Sequence, residues 1–361
     1  MNTIGILTSG GDCPGMNAAI RAAVFAAAAR GMRIYGIQCG YQGLYDADWE
    51  ELTPEKVDDI HQRGGTVLRT ARFLPFSDAA RRKGAIRQCI RNCRKNRDAA
   101  GNPNPIEGLV VVGGDGSFRG AFDLTKKNLP CVCLPGTIDN DIACTDETIG
   151  YDTCLNAVCA MVDAIADTAR SHDRCIIVEV MGNMAGDLTL YAGMAAGAVT
   201  VVPEEGYDLP EQGEMSAEEV ARFDGGIAQA IAAAKAAGRR SFVVLVAEGF
   251  TGKKDKNGRT RYPGGMEALA KRIQQLTGVE TRADVLGYVQ RGGKPSARDR
   301  ILAAQMGARA VRLLAENQSN RVVILRGGAV SDLGITRALH MPKKLSAEDI
   351  ALAKSLRYDS V

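Results

Sequence analysis

Cysteine is thin on the ground, ten residues in a chain of 361, far below the density of a disulfide-stapled domain. Several cysteines sit inside apolar runs, as in Cys131-Val132-Cys133-Leu134, where a buried free thiol is expected rather than a bridge. No CxxC pair occurs, and the three histidines, His61, His172 and His340, are scattered, so a zinc site is not expected. Charge of either sign is nearly balanced, with a formal net charge of +3, and the electrostatic footprint of a nucleic-acid binder is missing. The cluster Arg81-Arg82-Lys83 reads as a solvated helix face. No apolar run is long enough to span a bilayer; Ala22–Ala29 is a short Ala-rich helix bounded by arginines. Met1 leads directly into a strand, without the basic and apolar regions of a secretory signal. The expected compartment is the cytoplasm, and neither nucleic acid nor membrane is an expected partner. The P-loop pattern GxxxxGKS or GxxxxGKT is also absent, which excludes a P-loop NTPase.

What the chain does have is alternation. Ile4–Leu7, Ile34–Ile37, Leu109–Val112, Cys131–Leu134, Cys175–Val180, Val199–Val202, Phe242–Val246 and Val322–Leu325 read as buried strands. Between them, Asn17–Arg30, Arg81–Arg97, Leu155–Arg170, Glu218–Ala237, Met266–Leu276 and Arg298–Leu314 have helix-forming composition. The expected fold class is therefore α/β, with mainly parallel sheets sandwiched by helices. Pro203–Glu219 and Gly249–Gly265 are polar and rich in turn residues, and are expected to be exposed loops.

In such sheets ligands sit beyond the carboxyl ends of the strands. Glycine clusters recur at those junctions: Gly10-Gly11 after Leu7, Gly113-Gly114 after Val112, Gly136 after Leu134, Gly182 after Val180 and Gly249 after Val246. Three segments carry chemistry. In Val110–Gly120, VVVGGDGSFRG, a strand ends, glycines turn and a helix begins; free backbone N–H groups at a helix start hold anions. Asp115 there supplies a carboxylate for magnesium. Leu7–Arg21, LTSGGDCPGMNAAIR, repeats the design at the first strand. In Leu134–Asp141, LPGTIDND, two carboxylates lie two residues apart on a loop. Asp139 and Asp141 in that arrangement suit proton transfer from an attacking hydroxyl; a capping loop of turn residues is the other reading of the segment.

These segments, with GYQGLY, RGGTVLRTARF, VEVMG, GDLTL, VAEG, ETRADVLGYVQRGG and DRILA in order along the chain, resemble the bacterial-type phosphofructokinase family. The resemblance implies two lobes: residues 1–150 plus 290–325 for nucleotide, and 151–289 plus 326–361 for the sugar phosphate. It implies transfer of the γ-phosphoryl group of Mg-ATP to the 1-hydroxyl of fructose 6-phosphate, with Mg²⁺ as cofactor. Asp139 is then the base, with Thr137 and Arg72 beside it in the chemistry. Gly11, Tyr41, Arg72, Phe73, Gly114, Asp115, Gly116, Ser117 and Gly120 line the nucleotide, Asp115 contacting the metal. Thr137, Ile138, Asp139, Asp141, Met181, Gly182, Asn183, Glu248, Tyr288 and Arg291 surround the sugar phosphate. Arg174 and Arg282 reach that phosphate from a neighbouring subunit, so the resemblance implies a homotetramer or homodimer with shared active sites.

The chain departs from the family pattern in three places. Tyr288 stands where a histidine is usual, and Asn183 where an arginine steadies the transferring phosphoryl group. At the family's effector site Arg21, Arg239 and Arg240 remain, but Phe25, Pro54, Ala166 and Ala237 replace cations and Val199 replaces an acid. Pyrophosphate-dependent members carry an acid in place of Gly116 and a lysine in place of Gly136; glycine at both positions favours ATP. A pyrophosphate-dependent enzyme, or a catalytically weak sugar-phosphate-binding regulatory subunit supported by Asn183 and Tyr288, are the alternatives.

Overall fold

The run from Gly108 to Gly113, GLVVVG, contains no polar side chain, and a strand without alternation is one covered on both faces. In the computed structural model, which describes residues 1–211, 213–252, 260–342 and 345–356, that run is the middle strand of a seven-stranded sheet. Numbered along the chain, the strands are β1 (Thr3–Ser9), β2 (Arg33–Ile37), β3 (Trp49–Leu52), β4 (Gly108–Gly113), β5 (Cys131–Pro135), β6 (Cys175–Val180), β7 (Val199–Val201), β8 (Phe242–Ala247), β9 (Thr281–Val285), β10 (Arg321–Arg326) and β11 (Ala329–Gly334).

The chain divides into two compact units. Met1–Ile138, Ile142–Thr153 and Arg291–Lys343 form the first, and Asp139–Asp141, Cys154–Gln290 and Lys344–Val361 the second. The first holds the sheet β11-β10-β5-β4-β1-β2-β3, parallel within and closed by antiparallel edges at β3 and β11. Leu109, Val111, Cys131, Cys133 and Val322 pack with Phe118 in its core. From β1 the chain runs outward to β2 and β3, then returns to lay β4 on the other side of β1. That reversal opens a crevice at the carboxyl ends of β1 and β4, where α/β sheets bind ligands. The second unit holds the four-stranded sheet β7-β8-β6-β9, parallel throughout. Ile177, Val244 and Val246 pack there against Phe223, Phe250 and Tyr262.

Each strand expected from hydrophobicity is present. Those missed, β3, β9 and β11, are edge strands with the polar sequences WEEL, TRADV and AVSDLG; an edge has a wet side and no continuous apolar run. The units divide differently from the expected lobes. Assigning 326–361 to the second lobe fails for 326–342, which belong to the first unit. The reason is the hairpin of β10 and β11, registered from Arg321↔Gly334 to Arg326↔Ala329. Its two-residue turn, Gly327-Gly328, has φ of 57° and 78°, a pairing that follows the twist of a hairpin and that side chains resist. Residues 139–141 likewise fall in the second unit, not the first. Of the two expected loops, the first opens with a short turn of helix at Pro203–Glu205 and runs into the helix Ala217–Ala236. The second begins with the short helix Glu248–Thr251, and its residues 253–259 lie outside the described residues.

Candidate active site

In the first unit the loops after β1 and β4 are tied together by Ser117, whose hydroxyl donates to the Ser9 carbonyl at 3.1 Å. Gly113 lets them close: a Cβ there would stand 2.4 Å from the Ser9 carbonyl oxygen and 2.5 Å from Ser117 Oγ. The helix Asp115–Thr125 starts from Gly114 with no side-chain cap. Its first N–H groups and the positive end of its dipole therefore face outward, an arrangement that receives phosphate. A Cβ at Gly114 or Gly116 would meet no atom within 4 Å, so the space beside these glycines is open to a ligand.

Asp115 lies in the helix's first turn, half-exposed, with Arg119 2.9 Å away. An exposed pair of this kind is worth at most about 1 kcal/mol and yields readily to a divalent cation. A single hard carboxylate beside a phosphate-binding helix start suits magnesium, which keeps its waters and takes one or two carboxylates plus phosphate oxygens.

Beneath this loop lies an aromatic cluster. Tyr41 and Phe76 rings are 4.7 Å apart, Phe73 and Phe76 5.0 Å, and a Cβ on Gly120 would press the Tyr41 ring at 2.9 Å. Tyr41 is only 3% exposed, and its hydroxyl donates to the Ser117 carbonyl at 2.6 Å. Tyr41 and Gly120 thus support the loop from below. Arg72 is exposed and makes no ion pair among the described residues. Its segment is held to β1 by Thr8 Oγ1, which donates to the Arg69 carbonyl at 2.8 Å, and by Thr70 Oγ1, which donates to the Gly10 carbonyl at 2.7 Å. Arg291 belongs to this unit and lies against Gly11: its Nη1 donates to the Asp12 carbonyl at 3.3 Å, and a Cβ at Gly11 would sit 2.3 Å from it.

Gly136 continues β5 and donates its N–H to the Gly113 carbonyl at 3.0 Å. A Cβ there would lie 2.8 Å from Val112 Cγ1. Thr137 is pinned by its own N–H to the Ile149 carbonyl and by Thr148 Oγ1, which donates to the Thr137 carbonyl at 2.6 Å. Ile138 is fully buried beside it.

In the second unit Asp139 and Asp141 flank Asn140, whose φ of 48° is left-handed, a conformation asparagine tolerates better than most residues. Its amide donates to Asp187 Oδ1 at 3.2 Å. At the carboxyl end of β6, Glu248 Oε1 accepts from the N–H of Gly182 at 3.2 Å and of Asn183 at 2.6 Å. Gly182 has φ of 146°, and a Cβ there would strike the Ala185 carbonyl at 2.6 Å; Asn183 is left-handed too, at 56°. Met181 donates its N–H to the fully buried Gln290 Oε1 at 3.0 Å. Beside Glu248, Glu179 is pushed above the ordinary carboxylate range by burial, partly countered by the hydrogen bond from Thr251. Tyr288 is 83% exposed. Arg174 and Arg282 converge on one carboxylate oxygen, Glu280 Oε1, at 3.4 and 2.7 Å.

Sequence reading missed Gln290, Asp187 and Glu280. All three lie inside the motifs ETRADVLGYVQRGG and GDLTL, but a motif does not say which backbone group, amide or arginine each one holds. At the expected effector positions, Arg21 is held by Asp58 at 2.9 Å and lies 4.3 Å from the Phe25 ring, and Arg240 is paired with Asp173.

Known proteins give this geometry its context. A model of the family described as Phosphofructokinase matches residues 3–314. The chain is 48% identical over 358 residues to an ATP-dependent 6-phosphofructokinase of Lysinibacillus sphaericus, covering 99% of each chain. It is 43% identical over 357 residues to one from Alkaliphilus metalliredigens, again covering 99% of each. The phosphofructokinase structure from Saccharomyces cerevisiae superposes over 100% of this chain with a TM-score of 0.77 and 29% identity; the chain spans 47% of that yeast chain's length. A pyrophosphate-dependent phosphofructokinase from Marinobacter aquaeolei, at 18% identity, shares the fold, with a TM-score of 0.74 over 96% of this chain and 86% of that one. This chain belongs to the phosphofructokinase family.

Proposed function

We propose that the chain is an ATP-dependent 6-phosphofructokinase of glycolysis, moving the γ-phosphoryl group of ATP to the 1-hydroxyl of fructose 6-phosphate to give fructose 1,6-bisphosphate and ADP. The observation that carries the reading is near full-length identity of 42–48% to relatives bearing that name. Open glycine at 116 and packed glycine at 136 favour ATP over pyrophosphate as donor.

The half-site at β1 and β4 receives the nucleotide. Backbone N–H groups of Gly114, Asp115 and Gly116 hold its phosphates, with Ser117 tying the loop to β1, the cluster of Phe73, Phe76 and Tyr41 stiffens that loop, and Arg72 offers a fixed positive charge to the phosphoryl group in transit. Asp115 would hold magnesium, which when bound neutralises polyphosphate charge. Glu248, its Oε1 occupied by two backbone N–H groups, presents its other oxygen to sugar hydroxyls. Met181, Gly182, Asn183 and Tyr288 complete the second unit's half-site for the sugar phosphate, and Thr137, Ile138 and Asp141 set the loop around Asp139. Asp139 accepts the proton of the 1-hydroxyl as its oxygen bonds to the γ-phosphorus and the bond from phosphorus to the ADP oxygen breaks.

Arg174 and Arg282, gathered on Glu280, form a cationic patch that suits the sugar phosphate of a second copy, and we place the enzyme in a homo-oligomer on that ground. None of the ten cysteines is in a disulfide and eight of them are buried, which suits the reducing cytoplasm. No helix among the described residues is long and apolar enough to cross a membrane. The decisive experiment is turnover of fructose 6-phosphate with ATP against turnover with pyrophosphate. Activity with ATP alone is expected; activity with pyrophosphate alone, or with neither donor, overturns the reading.

A further inference from the structure

The helix Ala79–Lys95 carries Arg81, Arg82, Lys83, Arg87, Arg91, Arg94 and Lys95 and no acid. The spacing 83, 87, 91, 95 sets four cations in succession one turn apart, a like-charge row that weakens a helix unless something neutralises it. Its first turn is neutralised from within the chain: Arg81 pairs with Asp78 at 3.3 Å and Arg82 with Asp123 at 3.7 Å. Further along, no acid among the described residues pairs with the helix. Among those residues Arg87 Nε donates to the Lys83 carbonyl at 3.3 Å alone, and Arg91 to the Gln88 side chain alone. Arg94 and Lys127 make no ion pair among the described residues.

These four cations do not fan out over a convex surface. Arg87, Arg91 and Arg94 line one side of an open cavity of about 600 Å³ over Gly84 and Ile90, and Lys127, just beyond the helix Asp115–Thr125, lines it too. A concavity of this size takes a small molecule. Its cations come from two chain segments, and guanidinium forks one turn apart match phosphoryl groups bidentately. The chain's net charge of +3 speaks against a general polyanion-binding face.

We propose that this groove binds a small polyanion carrying two or more phosphoryl groups, at a site separate from the glycine loops at 10–11 and 113–117. The residues that build it are Arg87, Arg91, Arg94 and Lys127.

The test is calorimetric titration of the full-length protein with inorganic tripolyphosphate at about 150 mM salt, where loose surface attraction is screened. Fructose 6-phosphate is held in excess and nucleotide is left out, because ADP, with two phosphoryl groups, would itself fill the groove. One saturable site per chain beyond any at the glycine loops is expected, and a variant that keeps those loops tells the two apart. The triple variant Arg87→Gln, Arg91→Gln, Arg94→Gln is expected to bind at least about tenfold more weakly, each lost charged hydrogen bond weighing at that scale. Its melting temperature is expected to equal or exceed that of the wild type, since like charges are removed, which separates lost binding from lost folding. Equal affinity in the triple variant overturns the proposal, as does the absence of saturable binding to the wild type. A short RNA oligonucleotide that binds through the same arginines a hundredfold more tightly than tripolyphosphate overturns it in favour of a nucleic-acid surface.

Discussion

The Asn140 side-chain amide donates to Asp187 Oδ1 across 3.2 Å, and both residues are buried. Asn140 stands between the two loop carboxylates in a left-handed conformation, so its anchor fixes where the loop backbone points. Asp187 opens the helix Asp187–Ala196, where a carboxylate is favoured by the dipole. Asp187→Asn, which keeps the shape and loses the charge-assisted acceptor, is expected to lower kcat about 10- to 100-fold, the scale of a small misplacement of a catalytic group. The KM for ATP is expected to stay within about twofold, because the nucleotide half-site lies on other loops. Asn140→Gly, which relieves the backbone but removes the amide, is expected to resemble Asp187→Asn. Steady-state kinetics with the two single variants and the double variant check the pairing: additive losses of kcat would show that the two residues act independently.

Removal of the proposed base should act on the rate. Asp139→Ser is expected to lose about 10²- to 10⁴-fold in turnover while fructose 6-phosphate still binds, because the base works in the transition state. Turnover assays beside a binding titration read the two quantities separately. Retention of a tenth of wild-type turnover would assign the proton to another group.

Donor choice rests on two glycines with opposite surroundings. Gly116 faces open space, so Gly116→Asp leaves the fold intact and sets a carboxylate beside the nucleotide phosphates. Two like charges about 4 Å apart in a site of effective dielectric ~20 repel by about 4 kcal/mol, so ATP-dependent kcat/KM is expected to fall roughly 10³-fold. Gly136 is packed against Val112, and Gly136→Lys must displace that side chain. The double variant is therefore expected to melt at a lower temperature than Gly116→Asp alone, whatever activity it gains with pyrophosphate. Melting curves and kinetics with both donors check this; unchanged ATP kinetics in Gly116→Asp would place the phosphate chain elsewhere.

The family's inter-subunit effectors should have little hold on this chain. An effector moves an equilibrium only through different interaction energies with the two states. Phe25, Pro54, Ala166 and Ala237 supply no cations, while Arg21 is engaged by Asp58 and Arg240 by Asp173. Saturation curves for fructose 6-phosphate with and without millimolar phosphoenolpyruvate or ADP, at excess ATP and magnesium, are expected to overlay. A large shift in half-saturation that Arg21→Ala abolishes would contradict this.

The β11 edge has its own acid dependence. Burial pushes the Asp332 carboxyl up, but Arg321 and Arg309 outweigh it and hold the group below its ordinary value of 3.8. Arg309 Nε reaches Asp332 Oδ1 at 2.8 Å and Arg321 Nε reaches Oδ2 at 2.6 Å. Since the folded-state value is depressed, the stabilisation is present in full above 3.8 and is lost as pH falls through the lower, folded value. Asp332→Asn is expected to cost about 1–2 kcal/mol at pH 7, Arg321's share being screened by its exposure. The gap from wild type should narrow as the pH falls below 3.8. Urea unfolding across that range checks it; a constant gap would mean that the pairing carries no net stabilisation.

Sequence alone determined the buried parallel strands, because a strand covered on both faces must be apolar throughout, as GLVVVG at 108–113 is. It also determined where backbone can approach a ligand, since Gly114 and Gly116 leave room that any side chain fills, and the ordered motifs carried the family. Tertiary structure decided which strands lie side by side: β4 against β1 rather than β3, so that Ser9 meets Gly113 and Ser117. It decided the polar edges β3, β9 and β11, whose hydrogen bonds come from partners and not from their own hydrophobicity. It decided that β11 closes the first sheet, that Gln290 receives Met181's N–H, and that Asp187 steadies Asn140. Local pattern records what one segment needs from its surroundings; which distant segment meets that need is settled only when the whole chain is packed.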